Sequence, residues 1–278
     1  MTLEKTFEKT LESRIETLAG RMSVLPGHSV LLFTGAGISV ESGIPPFRGG
    51  NGLWTKYDPE FISLDYFYAH PEDSWRKIKE VFYDKWGAAF PNPAHLALAD
   101  MQKEGLAGTL VTQNIDCLHQ RAGSRDVVEF HGTLDRLVCT ECTFSSAPSG
   151  EILECSPPRC PLCGKLLKPD FVFFGEAIPP EASSRAFRAA ESASLVLVIG
   201  TSGTVMPACM IPREAKRYGA YIVEVNPHPS AYTEEGVTDL FLAAGASRVL
   251  PRLLGLLRER RGGKNGAEED PVKEKPGS

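Results

Sequence analysis

Short, mostly apolar runs recur along this chain, and each stops at a glycine or a polar cluster. Residues 29–33 break into Thr34-Gly35-Ala36-Gly37, 109–112 into Gln113-Asn114-Ile115-Asp116, and 127–130 into His131-Gly132. Residues 195–199 end at Gly200-Thr201-Ser202-Gly203, 221–225 at Asn226-Pro227, and 240–242 shortly before Gly245-Ala246. Such runs, bounded by turn formers, predict strands buried on both faces. Phe171-Val172-Phe173-Phe174 predicts a further strand that stops at Gly175. Between them, Leu3, Phe7, Leu11, Ile15, Leu18 and Met22 recur at helical spacing and predict an amphipathic helix docked by one face. Helices are also predicted at 180–193, 207–218 and 250–257. Asn92-Pro93 to Gly105 reads as a helix with an Asn cap, a first-turn proline and a closing glycine. The alternation predicts an α/β fold, a parallel sheet with helices on both faces. Ligands of such sheets bind outside the carboxyl ends of the strands, so the loops carrying Gly35, Asn114, His131, Gly200 and Asn226 are expected to converge.

Residues 49–91 break this rhythm. Gly49-Gly50-Asn51-Gly52 reads as a flexible turn, and Trp54, Tyr57, Phe61, Tyr66, Phe67 and Tyr68 follow closely. A helix over 72–86 buries Trp75, Ile78, Phe82 and Trp86 on one side, so most of these aromatics are expected in a satellite core. The tail from Gly262 to Ser278 is polar without apolar period and is expected to be disordered.

The composition of the 278 residues, 42% hydrophobic and 23% charged, allows one large domain with a smaller insert. A net charge of -5 argues against an electrostatic nucleic-acid binder. No apolar run approaches the roughly 20 residues that span a bilayer. The N-terminus lacks the charged-then-apolar layout of a signal peptide. With seven cysteines, an odd number, these features predict a protein of the reducing cytoplasm.

Candidate chemistry lies in two places. Gly35 and Gly37 let backbone approach a ligand, and a short helix expected from Ile38 would offer free N–H groups to phosphate. Val40 stands where a dinucleotide fingerprint has its third glycine, so the same turn also fits a plain strand–helix connection. Cys139-x-x-Cys142 and Cys160-x-x-Cys163 are paired knuckles suited to one tetrahedral Zn²⁺, structural because sulfur fills every position. A nucleic-acid-binding zinc ribbon is the competing reading, disfavoured by the acidic balance. Cys155 is off register, and Cys117 reads as a small buried hydrophobe.

The motifs Thr34-Gly-Ala-Gly-Ile-Ser39, Gly43-Ile-Pro-x-Phe-Arg48, Thr112-Gln-Asn-Ile-Asp116, His131-Gly132, the two Cys-x-x-Cys pairs and Gly200-Thr-Ser202 occur in fixed order over roughly residues 5–257. That set resembles the sirtuins, NAD-dependent protein lysine deacylases, in their bacterial and archaeal deacetylase form. The resemblance implies a Rossmann-like doubly wound parallel sheet (1–48, 92–135 and 169–261) and a small domain of helical insert (49–91) plus zinc ribbon (136–168). It implies that Gly35, Ala36, Gly37 and Ile38 cradle the NAD pyrophosphate, that Arg48 holds phosphate and ribose, and that Phe47 covers the nicotinamide-ribose. Gln113, Asn114 and Asp116 would line the nicotinamide pocket, Asn114 also serving catalysis. Gly200, Thr201, Ser202, Asn226 and Ala246 would hold the phosphate and adenosine end. Val172, Phe173 and Gly175 would flank the acyl-lysine peptide, inserted as a strand.

By the same resemblance His131 is the general base. The acyl oxygen attacks the nicotinamide-bearing carbon, nicotinamide leaves, His131 activates a ribose hydroxyl to attack the resulting imidate, and water then releases free lysine and O-acetyl-ADP-ribose. NAD is thus a consumed co-substrate, and acetyl-lysine proteins are the partners. His95 and His119 read as structural, bonded within their helices. Pro46 stands where many relatives carry aspartate. Ile78 and Val81 stand where acidic-acyl removers carry Tyr and Arg, which favours acetyl or longer uncharged chains. Mono-ADP-ribosyl transfer and a non-enzymatic NAD sensor are the alternatives.

Overall fold

The computed structural model describes residues 3–47 and 52–265. Its first helix, α1 (Leu3–Met22), leads to β1 (Val30–Thr34), a strand buried at every position, and then to a 3-10 turn at Ala36–Ser42. The turn thus begins two residues before the helix expected at Ile38. In the insert, α2 (Leu64–Ala69) and α3 (Pro71–Ile78) are followed by a π turn at Lys79–Asp84. The single helix expected over 72–86 is therefore interrupted, while Trp75, Ile78, Phe82 and Trp86 are buried as the period required.

The Rossmann-like sheet resumes with α4 (Pro93–Lys103), β2 (Leu110–Thr112), α5 (Leu118–Arg121) and β3 (Val127–Glu129). Asn92 caps α4 by accepting the N–H groups of Ala94 and His95, and His95 Nδ1 accepts the N–H of Asn92 in return. A small antiparallel layer follows: β4 (Gly132–Cys139), β5 (Ser145–Ser146), α6 (Gly150–Leu153) and β6 (Leu167–Phe171). The apolar pattern does not mark β4. It also places a strand on residues 171–174, whereas β6 ends at Phe171 and pairs with β4 in this second sheet. The chain returns through α7 (Pro180–Ser192), β7 (Leu195–Ile199), α8 (Met210–Arg217), β8 (Tyr221–Asn226), α9 (Ala231–Glu234), β9 (Leu240–Ala243) and α10 (Ala246–Asn265). Helix α8 starts three residues later than expected, and α10 extends the expected 250–257 at both ends, taking in Gly262. Just past the expected C-terminal end, Arg258 anchors the extension by holding Asp100 and Glu104 of the α4 end. The rest of the expected disordered tail, 266–278, lies outside the described residues.

Six parallel strands take the order β3-β2-β1-β7-β8-β9. The chain winds outward through β1, β2 and β3, then restarts beside β1 and winds the other way. The reversal point therefore lies between β1 and β7, where a doubly wound sheet opens a ligand crevice. Register aligns the strand ends, with Thr34 opposite both Thr112 and Ile199. One face is covered by α1, α4 and α10 through Leu11, Ile15, Leu18, Leu98, Leu250 and Leu253. The other is covered by α7 and α8 through Ala186, Ala190 and Ile211. A third core joins the insert to the small sheet through Phe61, Trp75, Phe82, Leu137, Leu167 and Phe171.

Candidate active site

Two glycine loops meet at the reversal point. Gly35 N–H donates to Ile199 O at 2.9 Å, and Gly37 N–H donates to Gly200 O at 2.8 Å. A Cβ on Gly37 would come within 2.6 Å of Gly200 Cα, and one on Gly200, at φ +63°, within 2.4 Å of the Ile38 nitrogen. The glycines therefore serve backbone-on-backbone packing of the two loops. Val40, in the place of a third glycine, is 47% exposed and turned away from this contact.

These loops form one wall of a cavity of about 980 Å³. Ala36, Gly37, Phe47, Gln113, Asn114, His131, Val172, Phe173, Gly175, Gly200, Thr201, Ser202 and Asn226 all line it. Gly35, Ile38, Asp116 and Ala246 are not among the lining residues. Gly35 O accepts the Asn114 amide, Ile38 is packed in the core, and Ala246 begins α10. Arg48 lies outside the described residues.

The buried edge under the cavity is a hydrogen-bonded chain. Asn114 Nδ2 donates to Gly35 O (3.3 Å) and to Ser39 Oγ (3.2 Å), and Ser39 donates to Asp116 Oδ2 at 2.7 Å. Asn114 Oδ1 is buried with no partner among the described residues. An orphaned buried acceptor costs about 1–3 kcal/mol, so this atom fits a ligand that brings an N–H or O–H donor. Burial raises the Asp116 carboxyl above its ordinary range, opposed by the Leu118 N–H and the Ser39 hydroxyl.

His131 Nδ1 lies 3.0 Å from Gln113 O. A carbonyl only accepts, so Nδ1 carries the proton and Nε2 is the basic nitrogen. Burial lowers its pKa below the ordinary imidazole value, opposed by that same bond. At neutral pH the ring is therefore a neutral base. His119 departs from expectation by reaching out of α5 to Thr34 Oγ1 on β1, at 2.9 Å. Its ring lies 4.9 Å from that of His95, and burial holds both uncharged, His95 at about 4.

At the other end, Asn226 Nδ2 donates to Thr201 O (2.8 Å) and to Glu224 Oε1 (3.1 Å). Both amide protons are taken, so any ligand bond must be accepted by Oδ1. Glu224 is fully buried and also accepts the hydroxyls of Thr233 and Thr238. Its supporting role is invisible in sequence, where it sits inside an apolar strand.

Residues 35–207 match the model of the Sir2 family. The chain belongs to the Sir2 family. A Pyrococcus furiosus protein named NAD-dependent protein deacylase is 45% identical over 238 residues, 82% of this chain and 92% of its own length. A solved Sir2 homologue in complex with NAD has a TM-score of 0.79 at 38% identity, covering 88% of this chain and 94% of that one. A Sir2 structure with p53 peptide and NAD+ gives 0.74 at 34% identity, covering 84% and 93%.

In this Sir2-family chain the third part of the cavity wall is apolar. Phe47, Trp54, Ile62, Phe82, Ile115 and Phe171 line it, with Phe47 5.3 Å from Trp54 and 5.9 Å from Trp86 between ring centroids. Two insert aromatics, Trp54 and Phe82, are thus core and wall at once, and neither was expected at the ligand; of the aromatics named here only Phe47, just ahead of the insert, was. Ile78 and Val81 are fully buried behind them.

The four knuckle thiols form a separate centre. All four sulfurs lie within 4.8 Å of one another, with Cys139–Cys163 at 3.5 Å and Cys142 3.6 Å from Cys160 and from Cys163. A tetrahedron with Zn–S near 2.3 Å has sulfur–sulfur edges of about 3.8 Å, so the donor set fits Zn²⁺. N–H groups of Glu141 and Cys142 point at Cys139 Sγ, as a knuckle requires. Cys155 is exposed outside the cluster, and Cys117 is buried against Thr133.

Proposed function

We infer that this chain is an NAD-dependent protein lysine deacylase that acts on acetyl-lysine in proteins. The observation that carries the reading is one cavity combining a glycine-built edge, a histidine with a fixed basic nitrogen, and an apolar end. Ala36, Gly37 and Gly200–Ser202 hold the phosphates, supported from behind by Gly35 and Ile38, and Asn226 accepts a ribose hydroxyl. Arg48 and Ala246 complete the nucleotide's binding. Gln113, Asn114 and Asp116 hold the nicotinamide, with the orphaned Asn114 Oδ1 meeting a donor of the bound nucleotide. NAD supplies the electrophilic ribose carbon and a departing nicotinamide. His131 Nε2 takes a ribose hydroxyl proton. Val172, Phe173 and Gly175 receive the acyl-lysine peptide.

The apolar walls set the acyl preference. A succinyl carboxylate would be buried there with no cation among the lining residues described, at a cost of several kcal/mol. Acetyl and longer uncharged chains fit. The zinc centre supports the small sheet and takes no part in chemistry. Four thiols kept reduced for a metal support a setting in the reducing cytoplasm. Among the described residues no helix is long and apolar enough to cross a membrane. Nicotinamide release measured on matched acetyl-, butyryl- and succinyl-lysine peptides tests the acyl assignment. Acetyl and butyryl peptides should react at least tenfold faster in kcat/KM than succinyl. A faster succinyl peptide would overturn it.

A further inference from the structure

Lys168 is the only lysine or arginine buried among the described residues. Removing an ammonium from water costs several kcal/mol unless each of its three N–H groups finds an acceptor. Here each does. Lys168 Nζ donates to Pro169 O at 3.0 Å, Phe171 O at 2.7 Å and Glu176 Oε2 at 3.0 Å. It also lies 4.2 Å from the centroid of the Phe173 ring. Glu176 Oε2 accepts in addition the Phe173 N–H at 2.8 Å. The stretch 169–176 is therefore closed around a single cation.

This stretch borders the cavity through Phe171, Val172, Phe173, Phe174, Gly175 and Glu176. The backbone donors of its middle are spent: Val172 N–H on His131 O, Phe173 N–H on Glu176, and Phe174 N–H on Ile62 O. An entering peptide strand must therefore meet residues 172–174 through their carbonyls and not through their N–H groups. The same bonds tie it to the backbone of His131 on one side and to the insert on the other.

The geometry points to Lys168 and Glu176 as positioning residues that hold residues 171–175 in the shape that receives the acyl-lysine peptide. This rests on the reading of Val172, Phe173 and Gly175 as peptide-binding residues. Lys168 does not line the cavity, and the Glu176 carboxylate is engaged by Lys168 and the Phe173 N–H. Without the cation, Glu176 turns to solvent, the Phe173 N–H loses its acceptor, and the Phe173 ring loses the charge against its face. The effect falls on peptide affinity and leaves nucleotide affinity alone, because the glycine loops lie across the cavity on other elements.

Calorimetry of acetyl-lysine peptide with the zinc-loaded chain, plus steady-state kinetics, tests this. For Lys168→Met the peptide Kd and KM should rise by about tenfold or more, with kcat within about threefold and ADP-ribose Kd within about twofold. Glu176→Gln keeps an acceptor for Phe173 N–H but removes the charge, so it should raise peptide Kd by a smaller, severalfold factor. The double variant should be no weaker than about twofold beyond Lys168→Met, since the pair acts as a unit. If Lys168→Met does not fold, Glu176→Gln alone decides. Unchanged peptide Kd, or peptide and ADP-ribose affinity falling together, overturns the inference. A wild-type chain that binds peptide without deacylating it refutes the proposed function, and the clamp is then judged on Kd. A wild-type chain that binds no acetyl-lysine peptide overturns the clamp as well.

Discussion

Gly37→Ala tests whether the meeting of the two glycine loops builds the nucleotide site. The added carbon would lie 2.6 Å from Gly200 Cα, 2.8 Å from its oxygen and 2.9 Å from its carbonyl carbon, all rigid backbone. Carbon atoms rest about 3.5–4.0 Å apart, so the loops must separate by about 1 Å. That motion also breaks the Gly37 N–H bond to Gly200 O, now 2.8 Å. Overpacking of about 1–3 kcal/mol and a lost bond of about 1 kcal/mol give a total of about 2–4 kcal/mol. In a chain of this size each kcal/mol lowers Tm by roughly 2–4 °C, so a fall of roughly 4–16 °C is expected. Gly43→Ala is the control. Gly43 has φ +87° and no atom within 4 Å of the point an added Cβ would occupy, so the substitution strains only its own backbone, by about 1–2 kcal/mol. Scanning calorimetry and ADP-ribose titration separate the two variants. Gly37→Ala should weaken ADP-ribose at least tenfold and Gly43→Ala by less than about threefold. A Gly37→Ala protein that binds ADP-ribose as tightly as wild type would refute the reasoning.

Three further outcomes are expected. His131→Ala should cut kcat by about 10²–10⁴ while ADP-ribose Kd stays within about threefold, and undiminished turnover would remove His131 as the base. Chelation of zinc should unfold the small sheet and abolish activity, so a metal-free protein with full activity would contradict a structural centre. The third outcome concerns pH. If His131 is the base its neutral form is the active one, and its pKa is lowered, so kcat/KM should be level at pH 7 and fall only below pH 6.5, read from a pH–rate profile. Stability follows the same sign through His95, at about 4 when folded against about 6.5 unfolded. Its contribution is complete above pH 6.5 and is lost as pH falls toward 4, about 3 kcal/mol in all. The decline in Tm over that range should be shallower in His95→Gln.

The converging edge was legible because β1, β2, β7 and β8 are almost wholly apolar and end in glycine or amides. Strand β4 was not, since Asp135 and Arg136 are exposed and interrupt its apolar positions. Residues 171–174 look more like a strand than Leu167–Phe171, yet the latter pairs with β4. Lys168 and Pro169 disguise it, and the lysine is tolerated inside only because Glu176 and two carbonyls surround it. The π turn at Lys79–Asp84 leaves no trace in a 3.6-residue period, though it carries Phe82, which lines the cavity. Glu224 was hidden for a similar reason, as a carboxylate satisfied by Thr233 and Thr238 from beyond its strand and by Asn226 at the strand's end.

The central claim is that this cavity moves an acyl group from lysine onto ADP-ribose. Mass spectrometry of all products, after incubation with NAD and an acetyl-lysine peptide, tests it most directly. The peptide should lose its acetyl group, one nicotinamide should appear per event, and the acetyl group should be recovered on ADP-ribose. An unchanged peptide accompanied by ADP-ribose attached to protein would contradict the account.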